Sequence, residues 1–407
     1  MLDHNNAKVM LPQLQKATNP MIYARVIVGA ICGVMSTSAF APSGGTAAAA
    51  AARAMACRTI VTMTSDIDTT LDPLDYVSGV SSLPEYDTYL LDMWGVMHDG
   101  SAPYDGVLET VAQLKAQNKR LVILSNSSKR LSYTHRMLKK LGFNIDDFEQ
   151  IITSGEVSWR MMSGDDSLSC NVWPVMTDLI ENSSKRVFLF GSGDNDEEYC
   201  ETAGWSLAPI EEADMILARG TFTLNDGNDI VSKKIDGEEA YFAAHDKVLQ
   251  VAADRRIPML VANPDRVRPD EGFPPMPGAI GDSYERALAS DSKNVVIGET
   301  DLVRRIGKPH SEVYELALSR NVNDASNVDS SVLMVGDALE TDIIGGKASA
   351  VESLWVVADG IHSEAVEAAG GCENGGPEEV LKGFNAKKGY TNGDLVRPTH
   401  VVSHFKW

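Results

Sequence analysis

Short apolar runs that end at a polar residue alternate along this chain with amphipathic stretches of helical spacing. Residues 89–91 run into Asp92, and residues 120–124 (RLVIL) end at Ser125. Between these two runs, residues 107–115 carry apolar side chains at helical spacing. Strand-like runs that alternate with helices of about 10 to 15 residues predict a parallel sheet with helices on both faces. The expected fold class is therefore α/β, with a Rossmann-like parallel sheet.

The same pattern returns late in the chain, after a separate α/β segment. The late helix-like and strand-like stretches are residues 311–319, 331–335, 353–357 and 399–405. The middle of the chain has strand-like runs of its own at residues 186–190, 213–218 and 257–262. We therefore predict a core made of residues 81–152 and 300–407, with residues 153–299 inserted into it as a second α/β domain.

Composition and charge exclude several classes of function. The 407 residues carry a formal net charge of −21, which argues against nucleic acid as a partner because phosphate backbones require a basic face. No uninterrupted apolar run reaches about 18 residues, so we expect no transmembrane helix in the mature protein. The five cysteines show neither CxxC nor metal-ligand spacing, which excludes a disulfide framework and favours a reducing compartment.

Residues 1–80 have the composition of a targeting presequence. Residues 21–41 combine a charged start, a ten-residue apolar run and small residues, as a signal peptide does. Residues 41–80 begin with an Ala-rich, acid-poor tract typical of a transit peptide, and residues 38–42 (SAFAP) resemble the junction of bipartite plastid presequences. We therefore predict plastid targeting. The alternatives are an ordinary disordered N-terminus, a true start at Met21, and a cytoplasmic protein.

Polar groups that suit phosphoryl transfer follow four of the predicted strands, directly or in the next loop. They are Asp92, Ser125 with Asn126, Lys308, and Asp337 with Asp342. The carboxyl ends of the strands form the ligand-binding edge of an open α/β sheet, so we expect these side chains to meet there. A carboxylate can attack phosphorus, carboxylates can hold a divalent cation, and Lys, hydroxyl and amide groups can bind phosphate oxygens. The set predicts phosphoryl transfer through an aspartyl-phosphate.

Four motifs in this order, with a large insert between the second and third, resemble class IIA of the haloacid dehalogenase (HAD) superfamily of phosphatases. The motifs are Asp92 after an apolar strand, Ser125-Asn126 at a strand end, Gly307-Lys308-Pro309, and GDxxxTD from Gly336 to Asp342. Within the insert, residues 261–265 (VANPD) and 276–281 (MPGAIG) resemble the Asn-Pro-Asp segment and the Pro-Gly turn of the class. The resemblance implies a HAD core with a large α/β cap. It also implies Mg²⁺ as cofactor, a small phosphorylated metabolite as substrate, and a homodimer as one oligomeric state.

The resemblance also implies a role for each matched residue. Asp92 is the expected nucleophile, and Lys308 pairs with Asp92 and with the phosphate. Ser125 and Asn126 are expected to bind phosphate. The expected Mg²⁺ site consists of Asp92, Asp337 and the backbone carbonyl of Trp94, with Asp342 supporting it indirectly or through water. Asn263 and Asp265 are candidates for substrate binding because a cap loop can lie over the cleft, although Asn-Pro-Asp is also good turn chemistry.

Trp94 departs from the pattern of the superfamily. HAD phosphatases normally carry a second Asp at this position, which protonates the leaving alkoxide and later activates water. Positioned acid–base catalysis typically contributes about 10²–10⁴-fold to the rate. The Asp-x-Trp-Gly-Val-x-His form resembles one branch of class IIA. His98 could substitute for the missing acid, but we favour its interpretation as a loop residue that caps a turn before Gly100.

Three activities stay open. The protein could hydrolyse substrates with good leaving groups, such as acyl or aryl phosphates, or it could use His98 or a substrate group as the acid. It could also bind a phosphorylated metabolite without turnover, as a regulatory protein on the HAD scaffold. A receiver domain that only accepts phosphate on Asp92 shares the sheet and the acid–Ser–Lys set, but the insert and the GDxxxTD motif argue against it.

Overall fold

The computed structural model describes residues 73–165, 173–268, 272–291, 301–319 and 331–407. The signal-like segment 21–41 and most of the transit-like segment 41–80 lie outside the described residues. Within the described ranges, no helix is both long enough and apolar enough to cross a membrane.

Strands and helices alternate through most of the described chain. The strands are β1 (Thr88–Leu91), β2 (Arg120–Ser125), β3 (Gln150–Thr153), β4 (Arg186–Gly191), β5 (Ser206–Leu207), β6 (Met215–Ala218), β7 (Thr223–Asn225), β8 (Ile230–Ser232), β9 (Met259–Val261), β10 (Val303–Arg305), β11 (Val332–Gly336), β12 (Glu352–Val356) and β13 (His400–Val402). The α-helices are α1 (Val107–Ala116), α2 (Leu131–Lys140), α3 (Ser154–Ser163), α4 (Pro174–Asn182), α5 (Asp196–Thr202), α6 (Lys233–Asp236), α7 (Glu238–Arg255), α8 (Pro277–Asp291), α9 (Ser311–Leu318), α10 (Ile344–Ala348), α11 (Ser363–Ala368) and α12 (Gly376–Lys388). Short 3₁₀ turns lie at Val80–Ser82, Ile145–Asp147, Cys372–Asn374 and Asn392–Asp394, and a π-helical turn lies at Leu339–Ile343.

The first sheet is parallel, in the order β13-β12-β11-β1-β2-β3. Successive side chains of a strand point to opposite faces, so Leu91 packs in the cluster that contains α1 while Leu90 packs in the cluster that contains α9. Helices on both faces explain why the interior positions of strands such as β1, β2 and β11 are apolar on both faces. The prediction of an α/β fold with a Rossmann-like parallel sheet is confirmed.

The strand order of this sheet has a reversal point between β1 and β11. From β1 the chain continues outward to β2 and β3, whereas β11 leads outward in the opposite direction to β12 and β13. In open α/β sheets the crevice at such a point, beyond the carboxyl ends of the strands, is the usual ligand site. The fold therefore predicts a ligand site at the loops that follow β1 and β11.

A second sheet, in the order β10-β9-β6-β4-β7-β8 with β5 beside β4, lies in sequence between β3 and β11. The β4–β7 and β7–β8 pairs are antiparallel, and the other pairs are parallel. Two apolar clusters pack against it, one that includes residues of α3, α4 and α5 and one that includes residues of α7 and α8. This sheet with its helices is the α/β insert that the sequence predicted, and we refer to it as the cap.

The end of the cap sheet differs from the prediction. We placed the boundary between insert and core at residues 299 and 300, but β10 (Val303–Arg305) pairs with β9. Two of the three residues of β10 are arginines, so the sequence offered no apolar run to indicate a strand. The cap sheet therefore extends to within three residues of Lys308.

The described segment before residue 80 also differs from the prediction. We assigned residues up to 80 to the presequence, yet Leu74 and Val80 are buried. The Val77 N–H donates to the Val401 carbonyl at 2.9 Å, and the Val401 N–H donates to the Asp75 carbonyl at 2.8 Å. Residues 73–80 are thus part of the fold, because they satisfy the free backbone groups along the edge strand β13.

Candidate active site

The structure brings the predicted polar residues together at the carboxyl edge of the parallel sheet. Asp92 directly follows β1, Ser125 is the last residue of β2, and Asp337 directly follows β11. Lys308 reaches the same place from the loop between β10 and α9. Each of these side chains lines one cavity.

Lys308 is the electrostatic centre of the site. Its Nζ lies 2.7 Å from Asp92 Oδ1 and 2.7 Å from Asp342 Oδ1, and its side chain is 1% exposed. Burial alone would lower the pKa of Lys308, but the charges of Asp342 and Asp92 outweigh it and raise that pKa. The lysine is therefore held as a cation between two carboxylates.

The carboxylates outnumber this cation and form a cluster suited to a metal ion. Oxygen atoms of Asp92, Asp337 and Asp342 lie within 4.8 Å of one another. Burial, followed by the charges of Asp92 and Asp342, raises the pKa of Asp337 well above its ordinary value. Burial also raises the pKa of Asp342 to about 6, against the opposing effect of Lys308.

Three clustered carboxylates facing one ammonium group leave excess negative charge that a hard divalent cation would neutralise, and Mg²⁺ prefers such oxygen ligands. The residues present therefore fit Mg²⁺. The contribution of the Trp94 carbonyl stays a prediction.

Glycines leave room for these carboxylates. A Cβ at Gly336 would lie 2.2 Å from Asp342 Cβ, and one at Gly360 would lie 2.1 Å from Asp337 Cβ. Gly95, whose φ is +81°, would place a Cβ 2.4 Å from Asp337 Oδ2. Sequence reasoning missed the Gly360 loop, although it follows a predicted strand. In that loop the Ile361 N–H donates to Asp337 Oδ2 at 2.7 Å.

Asn126 connects three parts of the protein: the loop after β2, the loop between β10 and α9 that carries Lys308 (the lysine loop), and the cap. Its Nδ2 donates to Asp265 Oδ1 at 2.8 Å and to the Lys308 carbonyl at 3.0 Å. Its Oδ1 accepts the Lys308 N–H at 2.7 Å. Both amide hydrogens of Asn126 are therefore used inside the protein, which favours a positioning role over the predicted contact with phosphate. Ser125 Oγ accepts the Ser127 N–H at 3.2 Å, and its own hydroxyl hydrogen can still be donated to a ligand.

The predicted cap residues also lie at the site. Asn263 Oδ1 accepts the Asp265 N–H at 2.8 Å, which is the turn contact that Asn-Pro-Asp favours. Burial raises the pKa of Asp265 to about 6, although the hydrogen bond from Asn126 and the charge of Lys308 act to lower it. Both Asn263 and Asp265 line the cavity, as expected for a cap loop over the cleft.

Trp94 and His98 form one side of the cavity. Trp94 is 37% exposed there, whereas His98 is 2% exposed. His98 Nδ1 accepts the Gly100 N–H at 2.9 Å, so the histidine makes the turn contact that we favoured. Burial lowers the pKa of His98 to about 4, which favours the neutral side chain at physiological pH and argues against His98 as the missing acid.

The cavity has a volume of about 1380 Å³ and is basic, although the protein as a whole is acidic. Its charged lining residues are Lys129, Arg136, Lys140, Arg219, Arg266, Arg268, Arg305, Lys308, Lys387 and Lys388 on the positive side, and Asp92, Asp265, Asp337 and Glu340 on the negative side. Four of these cations, Lys129, Arg219, Arg266 and Arg305, are paired with carboxylates outside the lining. Cationic side chains still outnumber anionic ones in the lining, which favours anionic ligands.

Comparison with known proteins agrees with this geometry. The family described as haloacid dehalogenase-like hydrolase matches residues 89–206, and a second HAD-hydrolase-like family matches residues 305–387. D-glycerol 3-phosphate phosphatase of Mycobacterium tuberculosis is 24% identical over 292 residues, which cover 69% of this chain and 67% of that enzyme. Phosphoglycolate phosphatase 1A of Arabidopsis thaliana, named as chloroplastic, is 24% identical over 281 residues, which cover 67% of this chain and 68% of that enzyme. A Caenorhabditis elegans relative, 25% identical over 293 residues, is matched over about half of its own length (49%).

The fold is shared with a solved structure of a haloacid dehalogenase-like hydrolase from Brucella suis 1330. The two superpose with a TM-score of 0.55 at 19% identity, over 80% of this chain and 98% of the Brucella protein. The four motifs meet at the carboxyl edge of the sheet, and the cap sheet lies between the second and third of them. The chain belongs to the haloacid dehalogenase-like hydrolase superfamily, with the cap placement of class IIA.

Proposed function

We propose that this protein is a Mg²⁺-dependent phosphatase that hydrolyses a small phosphorylated metabolite through an aspartyl-phosphate on Asp92. The observation that carries the proposal is the pair of 2.7 Å contacts from Lys308 Nζ to Asp92 and Asp342, beside Asp337. A carboxylate suited to act as nucleophile, a fixed cation and a carboxylate cluster suited to a divalent cation thus meet at the cavity that Asp92, Lys308 and Asp337 line. The phosphatases among the relatives support the same reaction class.

In the first step Asp92 attacks the phosphorus of the bound monoester. A bond forms between a carboxylate oxygen of Asp92 and phosphorus, and the bond from phosphorus to the ester oxygen breaks with its electron pair on that oxygen. Lys308 holds Asp92 in place and balances charge on the phosphoryl oxygens, and the Ser125 hydroxyl can donate to one of them. Asp92 and Asp337 would hold Mg²⁺, which when bound would supply neutralisation of the phosphoryl charge.

In the second step water attacks the phosphorus of the aspartyl-phosphate. The bond between the Asp92 oxygen and phosphorus breaks with its electron pair on that oxygen, so Asp92 returns as a carboxylate. The oxygen of the water stays on phosphorus in the inorganic phosphate, and one of its protons passes through solvent to the ester oxygen released in the first step. The Lys308 side chain contacts Asp92 and Asp342, and the Asn126 side chain hydrogen-bonds the Lys308 backbone. These contacts hold Lys308 in the same position through both steps.

The test is release of phosphate by the full chain with Mg²⁺, using phenyl, acetyl and sugar phosphates. Asp92→Asn removes the nucleophile and should abolish release from every substrate, while the fold, measured by circular dichroism, persists. Asp105→Asn is the matched control because Asp105 is exposed in the next loop. Release that survives Asp92→Asn would contradict the aspartyl-phosphate mechanism.

A second candidate function is binding of a phosphorylated metabolite without turnover. Trp94 favours it, because this side chain fills the place expected for the second Asp and His98 is neutral and buried. Under this hypothesis the wild-type chain releases no phosphate from the panel, yet still binds Mg²⁺ and phosphate in calorimetry.

For localisation, we propose import into a plastid through the presequence. Support comes from the charged start, apolar run and acid-poor tract within residues 21–65, and from the relative that is named as chloroplastic. N-terminal sequencing of the protein from its native cells should show that the residues before about position 40 are absent. A mature protein that still starts at Met1 would contradict the proposal that a presequence is removed.

The homodimer stays a proposal that rests on resemblance. Analytical ultracentrifugation of the full chain gives the mass of the species in solution. A single species at the monomer mass of 44.0 kDa, over a range of concentrations, would contradict it.

A further inference from the structure

The core offers no proton source next to the nucleophile. Trp94 stands where the second Asp is expected, and its side chain has no acidic group. His98 Nδ1 accepts the Gly100 N–H at 2.9 Å. Its Nε2 is buried and has no hydrogen-bond partner among the described residues. Neither nitrogen of this ring is therefore placed to give a proton to a leaving oxygen.

Four carboxyl side chains of the described residues line the cavity, and three of them have other roles. They are Asp92, Asp265, Asp337 and Glu340. Asp92 is the proposed nucleophile, and Asp337 belongs to the carboxylate cluster suited to Mg²⁺. Glu340 lies 3.1 Å from His362 Nε2, and this contact outweighs the effect of burial and lowers the pKa of Glu340. Asp265 is the carboxyl group that remains.

The cap loop that carries Asp265 is fixed by its own hydrogen bonds. The Asp265 N–H donates to Asn263 Oδ1 at 2.8 Å, and the Asp265 carbonyl accepts the Gly278 N–H at 3.0 Å. In the side chain, Oδ1 accepts a hydrogen bond from Asn126 Nδ2 at 2.8 Å. No group of the described residues donates to the second oxygen, Oδ2. Asp265 is thus held in position with one carboxyl oxygen available to a ligand.

The surroundings of Asp265 favour a proton on that oxygen. Burial raises the pKa of Asp265 to about 6, and the charges of Asp342 and Glu340 act in the same direction. The hydrogen bond from Asn126 and the charge of Lys308 oppose this effect. Because Oδ1 already accepts a hydrogen bond, Oδ2 is the oxygen that carries the proton. A pKa near the working pH suits a group that both donates and accepts a proton.

Asp265 and Asp92 reach the cavity from different domains. Asp92 follows β1 in the core, whereas Asp265 lies in the cap loop after β9. The two are close enough for the charge of Asp265 to act on Asp92, whose pKa burial raises and Asp265 raises further. In phosphoryl transfer the attacking and leaving oxygens lie roughly in line, with phosphorus between them. An oxygen that leaves opposite Asp92 therefore lies on the side of the phosphorus that faces away from the core nucleophile, where the cap loop covers the cleft.

We propose that Asp265 of the cap is the general acid and base that takes the place of the second Asp, which Trp94 has replaced in the core. This inference rests on the proposed phosphatase function and adds a catalytic residue to it. In the first step the Asp265 proton moves to the ester oxygen as the bond from that oxygen to phosphorus breaks. The product leaves as an alcohol, and Asp265 becomes a carboxylate.

In the second step Asp265 takes a proton from the attacking water. The oxygen of that water bonds to phosphorus, and the bond from phosphorus to Asp92 breaks with its electron pair on the Asp92 oxygen. Asp92 returns as a carboxylate and Asp265 as a carboxylic acid. The proton that otherwise passes through solvent thus moves within the site.

Asp265→Asn removes the proton but keeps an oxygen that can accept from Asn126. For the full chain with Mg²⁺, kcat for glycerol phosphate should fall about 100-fold or more, because a positioned acid or base contributes about 10²–10⁴-fold. Acetate leaves acetyl phosphate without a proton, so Asp92 should still be phosphorylated by this substrate. The slower second step should then let the aspartyl-phosphate accumulate well above the wild-type level, as measured by mass spectrometry of acid-quenched protein.

Asp194→Asn is the matched control. Asp194 Oδ2 also joins the cap to the core, through Lys129 Nζ at 3.2 Å, but Asp194 does not line the cavity. This variant should keep kcat close to wild type and accumulate no aspartyl-phosphate. Circular dichroism should be unchanged in both variants.

Trp94→Asp gives a measurement that a purely structural role of Asp265 would not affect. It places a carboxyl group at the usual acid position, so it should partly replace Asp265. The factor by which it raises kcat for glycerol phosphate should be at least about 10 times larger in the Asp265→Asn background than in the wild type.

Two results would overturn the role of Asp265. One is an equal factor for Trp94→Asp in both backgrounds, and the other is an Asp265→Asn variant that neither slows glycerol phosphate nor accumulates the aspartyl-phosphate. If the wild type does not hydrolyse glycerol phosphate, accumulation with acetyl phosphate decides alone. If acetyl phosphate gives no Asp92-dependent release of phosphate, the phosphatase function itself fails.

Discussion

Asn126 and Lys308 are joined by two reciprocal hydrogen bonds across 182 residues of sequence. The Lys308 N–H donates to Asn126 Oδ1 at 2.7 Å, and Asn126 Nδ2 donates to the Lys308 carbonyl at 3.0 Å. The second Nδ2 hydrogen goes to Asp265 of the cap. One amide side chain therefore fixes the backbone of the lysine loop and also ties the cap to the core.

Asn126→Ala should reduce stability and activity together. It leaves the N–H and carbonyl of Lys308 buried without their partner, which should lower the free energy of unfolding by about 2–4 kcal/mol. Urea unfolding measures this loss, and kcat for phosphate release should fall because Lys308 is no longer held against Asp92. Asn144→Ala is the control, since Asn144 Oδ1 accepts the Asp146 N–H at 3.3 Å on the surface. Equal losses in the two variants would contradict the positioning role of Asn126.

Mg²⁺ should stabilise the protein more at pH 7.5 than at pH 5. Burial raises the pKa of Asp342 from its ordinary value of 3.8 to about 6, so between these values the folded state holds a proton that the unfolded state has released. The contribution of Asp342 to the free energy of unfolding therefore falls as pH rises through this window, and the ionised cluster then favours a cation. At 100 times its Kd, Mg²⁺ adds about 2.7 kcal/mol, and protons compete with it at pH 5.

Thermal unfolding with and without Mg²⁺ at both pH values measures this difference. Asp337→Asn should remove most of the increment at pH 7.5, because it takes away one carboxylate of the cluster. An increment that is the same at both pH values would argue against a carboxylate site for the metal.

Gly360→Ala should weaken Mg²⁺ binding about 10-fold or more. The added methyl group would lie 2.1 Å from Asp337 Cβ, so Asp337 must move away from the cluster. Overpacking of this kind typically also costs about 1–3 kcal/mol of stability. Gly383→Ala is the matched control, because a Cβ there meets no atom within 4 Å. Isothermal titration with Mg²⁺ compares the two variants, and equal affinities would contradict the role of the Gly360 loop.

Trp94→Asp should raise the turnover of poor leaving groups more than that of good ones. It restores a carboxyl group at the position where an acid would protonate the leaving oxygen, so glycerol phosphate should gain about 10-fold or more and acetyl phosphate little. The slope of log kcat against leaving-group pKa should become shallower than in the wild type. An unchanged slope would mean that the missing acid does not limit the rate.

A chain that starts at Pro73 should fold with the stability of the full chain, whereas one that starts at Pro84 should not. The shorter chain loses the buried side chains of Leu74 and Val80, each worth about 1.5–3 kcal/mol. It also loses the backbone hydrogen bonds that residues 73–80 make with Val401 and with Lys406. Urea unfolding of the two chains gives the difference, and equal midpoints would show that residues 73–83 add nothing to the fold.

The parallel sheet and most of the site were predictable because both leave a local pattern. Strands β1, β2, β11 and β12 are largely buried and contain apolar runs, and Asp92, Ser125 and Asp337 lie at or directly after the ends of such strands. Strand β3 (Gln150–Thr153) is only partly buried and was not predicted. Asp92, Ser125 and Asp337 were expected together on this ground, and the structure shows them at one edge. The expected resemblance to HAD hydrolases is confirmed by the matches to both halves of the core.

Features held by long-range contacts were not predictable. Strand β10 is held by its pairing with β9, and residues 73–80 are held by backbone hydrogen bonds to β13. Neither segment is an apolar run, so neither could be identified from the sequence. The Asn126 side chain makes its hydrogen bonds with Lys308 and Asp265 only because three loops that are distant in sequence lie next to one another in the fold. The exposure of Phe222 inside the cavity likewise depends on how the cap lies over the core, which no spacing along the chain encodes.

The short stretch of chain between β10 and Lys308 limits how the cap of this protein can be exchanged for another. Arg305 ends the last strand of the cap sheet, and the Ile306 N–H still donates to the Val261 carbonyl at 3.0 Å. Two residues later the chain is already bound by Asn126 and paired with Asp92. The cap is therefore not an exchangeable module with a free linker at its end. A recombination that imports a foreign cap must cross over within Ile306 and Gly307, or the lysine arrives out of register with its carboxylates.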